Sequence, residues 1–380
     1  MPKNLQQGLF DRIVDEENIY DAYKQSLKGK GKYKNNAMKF ALDETYNLRE
    51  LRRSLIDETY QFDGYEEFPV FEPKERIINA PFYKDKIVQL AINNILKELY
   101  NSTFIYDSYA CIDDKGTHKC VDRIQHLMRK AKWKYGDGTY VIKGDIKKFF
   151  YSIDRDVLKI LLPKKIKCKK TLRLLFKIID SADIIDLLGL PLGNTLSQIC
   201  ANIYMNELDQ FCKRKLGLKY YVRYMDDFFI FVESKDEADR VLKLVREFVE
   251  EKLHLKLNKD KTKAFPLAQG LNAIGYKIYV THRLLRNDSK KNIKRKIKAM
   301  PHLILEGKLT VEKAEQILNS WKGHAEHANS HNFIQGLISE HDFLYLVKKG
   351  NKTVFRIDVS KLEKEGEDYD IVQEQKVAYV

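Results

Sequence analysis

The chain has 380 residues, of which 44% are hydrophobic and 32% charged, and its formal net charge is +14. This length and composition predict a soluble globular protein of two or three domains. The positive charge favours a polyanionic partner, because each Lys or Arg at a phosphate releases counterions. No apolar run is long enough to span a bilayer and the N-terminus lacks a signal-peptide core, so we expect a cytoplasmic protein. The five cysteines are scattered and odd in number, which favours reduced thiols over a disulfide framework or a zinc site.

The first half of the chain predicts helices and one strand that ends in a carboxylate. The opening residues have helical character, interrupted by the basic, glycine-rich run Lys28–Lys32, which is typical of a loop. Residues 84–100 carry apolar side chains at helical spacing and predict an amphipathic helix. The run Tyr140–Asp145 predicts a buried strand, and a further helix is expected over 154–162. The cationic cluster Lys164–Lys170 follows between helices.

The second half begins with a long predicted helix that starts at Pro191–Asn194. Two apolar runs then flank Tyr224-Met225-Asp226-Asp227, which predicts a strand–turn–strand hairpin over 219–232. The elements expected after the hairpin are a charged helix over 236–253, a short strand at Leu255–Leu257, a hairpin around 273–278 and basic helices from 283 to about 347.

The adjacent carboxylates of Asp226 and Asp227 predict a metal site. At a tight turn they repel each other and lose solvent, which is unfavourable unless a cation is bound there. A hard divalent ion suits an all-oxygen site. With Asp145 at the end of the earlier strand, three carboxylates could hold two magnesium ions, one activating an attacking hydroxyl and the other stabilising a leaving phosphate. Asp is also common in ordinary turns, but the flanking apolar strands and the third carboxylate favour the metal site.

This order of elements resembles the palm of the reverse transcriptase family. The resemblance runs from about residue 74 to 276 and rests on the Asp145 strand, the Gly193 helix, the Tyr-x-Asp-Asp hairpin, the lysine-bearing loop Leu257–Thr262 and the glycine hairpin at Gly275. It implies an α+β right-hand fold of fingers, palm and thumb, with an antiparallel palm sheet and a helical thumb. The implied activity is RNA-templated DNA synthesis, with Asp145, Asp226 and Asp227 binding two Mg²⁺ ions, for which Mn²⁺ can substitute.

The same resemblance implies roles for further residues. Arg76 matches the fingers arginine that covers the incoming nucleotide, Phe150 the aromatic gate that excludes a ribose 2′-hydroxyl, and Lys261 a lysine near the triphosphate. On spacing alone, Arg76 could be a surface arginine and Phe150 a core residue. The other residues with implied contacts are Ile146, Leu192 and Gly193 for the nucleotide, Ile274, Gly275 and Tyr276 as the primer grip, and Lys290, Lys291, Lys294, Arg295 and Lys298 for the nucleic-acid backbone.

The segment from Leu192 to Gln198 indicates a subtype. Most reverse transcriptases carry Gln-Gly-x-x-x-Ser-Pro here, whereas this chain has Leu in place of the Gln and Gln in place of the Pro. That pattern resembles the reverse transcriptases of diversity-generating retroelements, which copy a template-repeat RNA into cDNA with errors opposite adenine. The implied partners are template RNA, a cDNA primer or product, dNTPs and a small basic accessory protein, usually a pentamer, with no membrane. Two alternatives stay open: another bacterial reverse transcriptase of retron or abortive-infection type, or a catalytically idle RNA-binding protein on the same scaffold.

The predicted domain order follows from the resemblance. The domains are N-terminal helices and fingers over 1–139, a palm over 140–282 with finger helices at about 155–188, a basic helical thumb over 283–347, and an appendage or tail over 348–380. In the thumb, His324, His327 and His331 recur at helical spacing. A zinc site is conceivable there, but packing or backbone contact is favoured because no fourth ligand is in view.

Overall fold

The computed structural model describes residues 8–29, 33–71, 75–181 and 188–363. These residues form two compact units. The first unit contains the described residues up to Leu127 together with Gly138–Phe265, and the second contains Met128–Asp137 and the described residues from Pro266 onward. Parts of three predicted features lie outside the described residues, namely 30–32 of the basic loop, 182–187 of the finger helices and 364–380 of the C-terminal tail.

Helices account for much of the described chain. In chain order they are α1 (Leu9–Ile13), α2 (Glu16–Ser26), α3 (Asn35–Ala41), α4 (Glu44–Ile56), α5 (Tyr83–Asn101), α6 (Thr117–Tyr135), α7 (Phe149–Ser152), α8 (Arg155–Lys165), α9 (Lys169–Asp180), α10 (Thr195–Gln210), α11 (Lys235–Leu253), α12 (Asn287–Leu305), α13 (Val311–Ala325) and α14 (His331–Glu340). The helices predicted over 84–100, 154–162 and 236–253 are confirmed as α5, α8 and α11 within a few residues at each end.

Side-chain caps fix where several of these helices begin. The Asn194 side chain accepts a hydrogen bond from the backbone N–H of Leu196 at 2.8 Å at the start of α10. The Ser234 hydroxyl accepts in the same way from Glu237 at 3.2 Å at the start of α11. Such caps satisfy amide groups that have no partner inside the helix, so they set the first residue of α10 directly after the Leu192–Gly193 segment.

Strands form four small sheets in the described residues. Their bounds are β1 (Tyr65–Val70), β2 (Arg76–Pro81), β3 (Tyr140–Asp145), β4 (Tyr221–Tyr224), β5 (Asp227–Val232), β6 (Lys263–Pro266), β7 (Leu271–Ala273), β8 (Tyr276–Ile278), β9 (Arg283–Leu285), β10 (Leu344–Lys349) and β11 (Lys352–Ile357). The sheet orders are β1-β2, β4-β5-β3-β6, β7-β8-β9 and β10-β11. The pairs β1–β2, β3–β5, β4–β5, β7–β8, β8–β9 and β10–β11 are all antiparallel. The chain is therefore an α+β protein with antiparallel sheets, as predicted.

The apolar core of the first unit lies between the central sheet and the helices α5, α10 and α11. In β5 the residues Phe228–Val232 are all buried, which matches their continuous apolar run. Gly144 pairs with Phe228 across β3 and β5, and a Cβ at Gly144 would fall inside the Phe228 ring. A glycine is needed there because the ring packs directly on the β3 backbone.

Two sequence predictions of secondary structure were wrong. The segment Leu255–Leu257 is not a strand, because only Leu257 forms an isolated bridge, with Ile146, before the chain turns. The basic helices do not extend to 347, since α14 ends at Glu340 and β10 begins at Leu344. A hairpin forms there because two runs that mix aliphatic and aromatic residues with polar ones flank Gly350-Asn351, and Gly350 takes a positive φ of 60°.

No helix in the described ranges is both long and apolar enough to cross a membrane.

Candidate active site

The three predicted carboxylates lie at one end of the central sheet of the first unit. Asp145 ends β3 and pairs directly with Asp227, the first residue of β5. Tyr224 also pairs with Asp227, so Met225 and Asp226 form a two-residue turn between β4 and β5. Met225 takes a positive φ of 56°, a conformation that an ordinary side chain adopts at a cost. The register thus brings the backbone of all three acids to one end of the sheet.

Burial makes Asp226 and Asp227 hard to ionise. The pKa of Asp227 is raised to about 6, chiefly by loss of solvent. The neighbouring charges of Asp226 and Asp145 act in the same direction, and Lys143 opposes them. Burial also raises the pKa of Asp226, where the charge of Asp145 acts in the same direction. A bound cation would relieve both effects, so the electrostatics favour a cation at this place.

Lys261 binds Asp145 in this structure. The Lys261 Nζ donates hydrogen bonds to the two carboxylate oxygens of Asp145 at 2.8 and 3.1 Å. The hydrogen bond raises the pKa of the Lys261 ammonium. The adjoining loop is tied to the end of β3, because the Asn258 N–H donates to the Asp145 carbonyl at 2.8 Å. The lysine-bearing loop is thereby held against the acid that the lysine neutralises.

Strand β2, which begins with the predicted nucleotide residue Arg76, packs against the Leu192–Gly193 segment. The backbone N–H of Asn79 in β2 donates to the Leu192 carbonyl at 2.8 Å. Gly193 has a φ of +94°, and a Cβ there would lie 2.5 Å from Cγ2 of Ile78. Glycine is therefore required for β2 to pack on this turn. Arg76 begins the same strand, is exposed, and its charge partly offsets the rise in the pKa of Asp226.

Phe150 and Ile146 differ in how they face the site. Phe150 is half-buried, packs edge-to-face on Phe149 with ring centroids 5.4 Å apart, and its carbonyl accepts from the Leu190 N–H at 2.7 Å. It therefore lies beside the segment that leads to Leu192. Ile146 is only 1% exposed as a whole residue, so in this structure it offers almost no surface to a nucleotide.

The predicted primer grip is the turn between β7 and β8 in the second unit. Ile274 and Gly275 have positive φ values of 46° and 86°. Tyr276 is buried, its ring stacks on His324 with centroids 4.4 Å apart, and its hydroxyl donates to the His324 carbonyl at 2.8 Å. His324 therefore supports this turn. His331 is the first residue of the following helix, α14. Among the described residues, no three His, Cys, Asp or Glu side chains are grouped so that they could hold a metal ion as they stand. Zinc at these histidines is therefore without support. The same holds for the arrangement of Asp145, Asp226 and Asp227 in this structure, in which Lys261 binds the Asp145 carboxylate.

The predicted backbone-binding residues all lie on α12. Ile293, Ile297 and Met300 form the buried face of this helix. The cationic residues Lys291, Lys294, Arg295 and Lys298 are exposed and Lys290 is half-buried. Lys294 also forms an ion pair with Glu340 at 2.7 Å, so its charge is partly compensated.

Sequence reasoning missed a buried ion pair directly behind the turn. Arg223, in β4, and Asp209, in α10, have side chains with no solvent exposure and lie 2.7 Å apart. An Arg inside an apolar strand and an Asp at the end of an apolar helix were the available signals. Pattern analysis cannot show that two such residues meet, because their pairing depends on the packing of α10 on the sheet.

The family comparison covers this whole region. The model described as "Reverse transcriptase (RNA-dependent DNA polymerase)" matches residues 71–278. The group II intron-encoded protein LtrA of Lactococcus lactis subsp. cremoris is 24% identical over 349 residues, which cover 72% of this chain and 56% of LtrA. Protein YkfC of Escherichia coli is 26% identical over 276 residues, which cover 61% of this chain and 69% of YkfC. The chain thus spans little more than half the length of LtrA.

Solved telomerase structures share low sequence identity with the chain. Telomerase from Candida albicans with a fragment of telomeric RNA is 13% identical, with a TM-score of 0.46 over 77% of this chain and 60% of that one. Apo telomerase from Candida tropicalis is 13% identical, with a TM-score of 0.47 over 78% and 64%. The assignment rests instead on the family match, which takes in more than half of the 380 residues and includes all three carboxylates. The chain belongs to the reverse transcriptase (RNA-dependent DNA polymerase) family.

Proposed function

We propose that this chain is an RNA-directed DNA polymerase whose reaction takes place at Asp145, Asp226 and Asp227. The observation that carries the proposal is the direct pairing of Asp145 with Asp227, with Asp226 in the adjoining turn. Membership of the family supports the reaction class, and the register of β3 and β5 supports the proposed place.

Divalent cations fit this set of donors. The three side chains offer only oxygen atoms, and burial opposes the negative charge of Asp226 and Asp227 until a cation is bound. When bound, two Mg²⁺ ions, or Mn²⁺ in their place, would activate the primer hydroxyl and stabilise the leaving diphosphate. Because Lys261 holds Asp145, this acid has to exchange the ammonium for the ions.

The remaining residues act on the nucleotide. Lys261, once released from Asp145, neutralises charge on the triphosphate and the leaving diphosphate. Arg76 covers the triphosphate from β2, where its fork of N–H donors suits phosphate oxygens. Phe150 lies under the sugar and excludes a ribose 2′-hydroxyl. Leu192 and Gly193 lie against the nascent base pair, where the missing Cβ of Gly193 lets the backbone approach closely.

The second unit supplies contacts to nucleic acid. The turn Ile274–Tyr276 positions the primer end, and its positive φ values present backbone groups that an extended strand would not. The cations of α12 bind backbone phosphates, with Lys291, Arg295 and Lys298 contributing most because they are exposed and Lys294 is paired with Glu340.

We propose further that the enzyme belongs to the diversity-generating subtype. The support is the Leu192-Gly193 segment followed by Ser197-Gln198. In this proposal the template is a template-repeat RNA, the product is a cDNA with errors opposite adenine, and the partner is a small basic accessory protein, usually a pentamer. A second candidate is an intron-type reverse transcriptase, and the specific observation in its favour is the match to the group II intron-encoded protein LtrA.

Primer extension tests the activity. Purified protein with Mg²⁺, dNTPs and a DNA primer on an RNA template should extend the primer. Asp226→Asn should abolish extension while keeping the fold, and the matched surface variant Asp239→Asn should extend like the parent, since Asp239 is an exposed residue of α11. Full extension by Asp226→Asn would show that the proposed site is wrong.

Sequencing the products separates the two subtypes. A diversity-generating enzyme should misincorporate preferentially opposite template adenine, whereas an intron-type enzyme should show no such bias. An error rate that is equal at all four template bases would overturn the subtype and leave the polymerase activity standing.

A further inference from the structure

Arg223 is a fully buried guanidinium that uses all of its donor atoms. Its Nε and Nη2 each donate to an oxygen of Asp209 at 2.7 Å. Its Nη2 also donates to the Ser108 hydroxyl at 3.0 Å, and its Nη1 donates to the Asn202 side chain at 3.2 Å. The remaining bond runs from Nη1 to the carbonyl of Met225 at 2.8 Å. This last contact is the only one of the five that reaches the turn carrying Asp226.

Stability alone does not account for this ion pair. Two charges in the interior lose their hydration, and apolar side chains of similar volume are often as stable in their place. A planar guanidinium does what an apolar side chain cannot, because one end can be fixed by Asp209 while the other end donates elsewhere. In this chain the other end donates to the Met225 carbonyl.

Met225 needs such support. Its φ of +56° is a left-handed conformation, which costs an ordinary residue about 1–2 kcal/mol. The next two residues in the chain are the carboxylates Asp226 and Asp227. A rotation of the peptide that contains the Met225 carbonyl would therefore turn Asp226 away from its neighbours.

We infer that Arg223 is a positioning residue: locked by Asp209, its guanidinium holds the Met225 carbonyl and so fixes Asp226 and Asp227 in the orientation that binds divalent cations. This inference rests on the proposed function and deepens it. Groups that orient metal ligands from behind commonly change metal affinity 10–100-fold when they are replaced.

The variant Arg223→Lys removes the contact. A Lys ammonium can still neutralise Asp209, but it has no second arm to reach Met225 at the same time. The matched control is Tyr221→Phe, which removes the Tyr221 hydroxyl bond to Asp209 at 2.6 Å and leaves the Arg223 bond to Met225 in place. Both variants disturb the same buried network, and only one of them disturbs the turn.

Metal affinity is the deciding measurement. Titration calorimetry with Mn²⁺, and the rise of the unfolding midpoint with Mg²⁺ concentration, both report binding without requiring turnover. Arg223→Lys should bind about 10–100-fold more weakly than the parent, with the Mg²⁺ requirement for primer extension shifted in parallel. Tyr221→Phe should bind metal like the parent even where it unfolds more easily.

A second variant covers the case in which Arg223→Lys does not fold. Arg223→Met combined with Asp209→Leu replaces the ion pair by apolar side chains, keeps the interior free of unpaired charge and lacks the Met225 contact. It should show the same weakened metal binding. Parent-like affinity in either folded variant, or an equal loss in Tyr221→Phe, would overturn the inference. A parent chain that binds no divalent cation would instead overturn the proposed function.

Discussion

Asp227 destabilises the folded state at neutral pH in the absence of metal. Its pKa is raised to about 6 by burial, so the folded chain favours the protonated acid. The protonated Asp227 therefore adds to the free energy of unfolding at pH values below the ordinary pKa of a carboxyl. This contribution is lost as the pH rises through about 6. A shift of about two units corresponds to about 2–3 kcal/mol.

Asp227→Asn should therefore be more stable than the parent at pH 7 without metal, by about 2–3 kcal/mol, because the amide carries no charge to desolvate. Urea unfolding in EDTA checks this at pH 7 and again near pH 4, where the difference should shrink. Asp239→Asn, which removes an exposed carboxylate, should show no such gain. A variant that is no more stable than the parent at pH 7 would contradict the burial argument.

Leu192 carries the prediction on fidelity. In the proposed site, where residue 192 lies against the nascent base pair, a Gln can hydrogen-bond and Leu cannot, and one such bond is worth about 0.5–1.5 kcal/mol. Leu192→Gln should therefore reduce misincorporation opposite template adenine several-fold and leave extension on other bases mostly intact. Sequencing cDNA from both forms on one RNA template measures it, with Leu188→Gln as an exposed control nearby. An unchanged adenine error rate with activity retained would remove Leu192 from the explanation.

The close contact between strands β3 and β5 leads to a prediction about their packing. Gly144→Ala should place its Cβ inside the Phe228 ring, push the two strands apart and cost about 1–3 kcal/mol. Because Asp145 is the next residue, primer extension should fall more than stability alone requires. Unfolding and extension assays check both effects.

A double variant supplies the internal test. Gly144→Ala combined with Phe228→Leu should recover part of the loss, because the smaller side chain leaves room for the added Cβ. Gly323→Ala, at a helical position with open space around it, should be neutral or mildly stabilising. A Gly144→Ala protein that matches the parent in stability would show that the Phe228 ring leaves room for a side chain at position 144.

The elements show which features a sequence can reveal. Amphipathic and continuously apolar runs predicted α5, α11 and the Tyr224–Asp227 hairpin correctly, because their periodicity reports burial directly. The three Asp residues were proposed as a site because a charge between buried strands is conspicuous, and their metal binding stays a prediction. The strand predicted at Leu255–Leu257 was wrong because two apolar residues do not determine whether a second strand lies alongside them and forms the backbone hydrogen bonds. The hairpin at 344–357 was overlooked although Gly350-Asn351 carried a turn signal.

Contacts between residues that are distant in the chain could not be predicted from such patterns. The Lys261–Asp145 bond joins positions 116 residues apart, and the Arg223 network joins β4 to α10 and to Ser108. Composition and spacing say nothing about which of many lysines or buried polar groups meet. These partners depend on packing, so only the three-dimensional structure identifies them.

The charge of the whole molecule predicts its response to salt. With a net charge of +14, RNA affinity should fall linearly on a log–log plot against salt concentration. Replacing Lys291, Arg295 and Lys298 by Gln should weaken binding and reduce the slope by about 2–3 in total, if each contacts one phosphate. Filter binding or fluorescence anisotropy at several salt concentrations measures both.

A charge-matched control separates site from total charge. Lys243, Arg246 and Lys252 are exposed on α11, and replacing them by Gln removes the same three charges. The α12 variant should lose more affinity and more slope than this control. Equal losses would show that the positive charge acts only as a diffuse field, and salt-independent binding by the parent would show that it serves something other than nucleic acid.

The second unit is assembled from two stretches that lie far apart in the chain. Met128–Asp137 belongs to it, although the 128 residues of Gly138–Phe265 intervene before the rest of that unit begins. During synthesis at about 5–20 residues per second, this early stretch waits on the order of ten seconds for its partners to emerge from the ribosome. We expect the first unit to complete its core in that interval, while Met128 and Ala131, which are buried in the finished protein, remain open to chaperones or to aggregation.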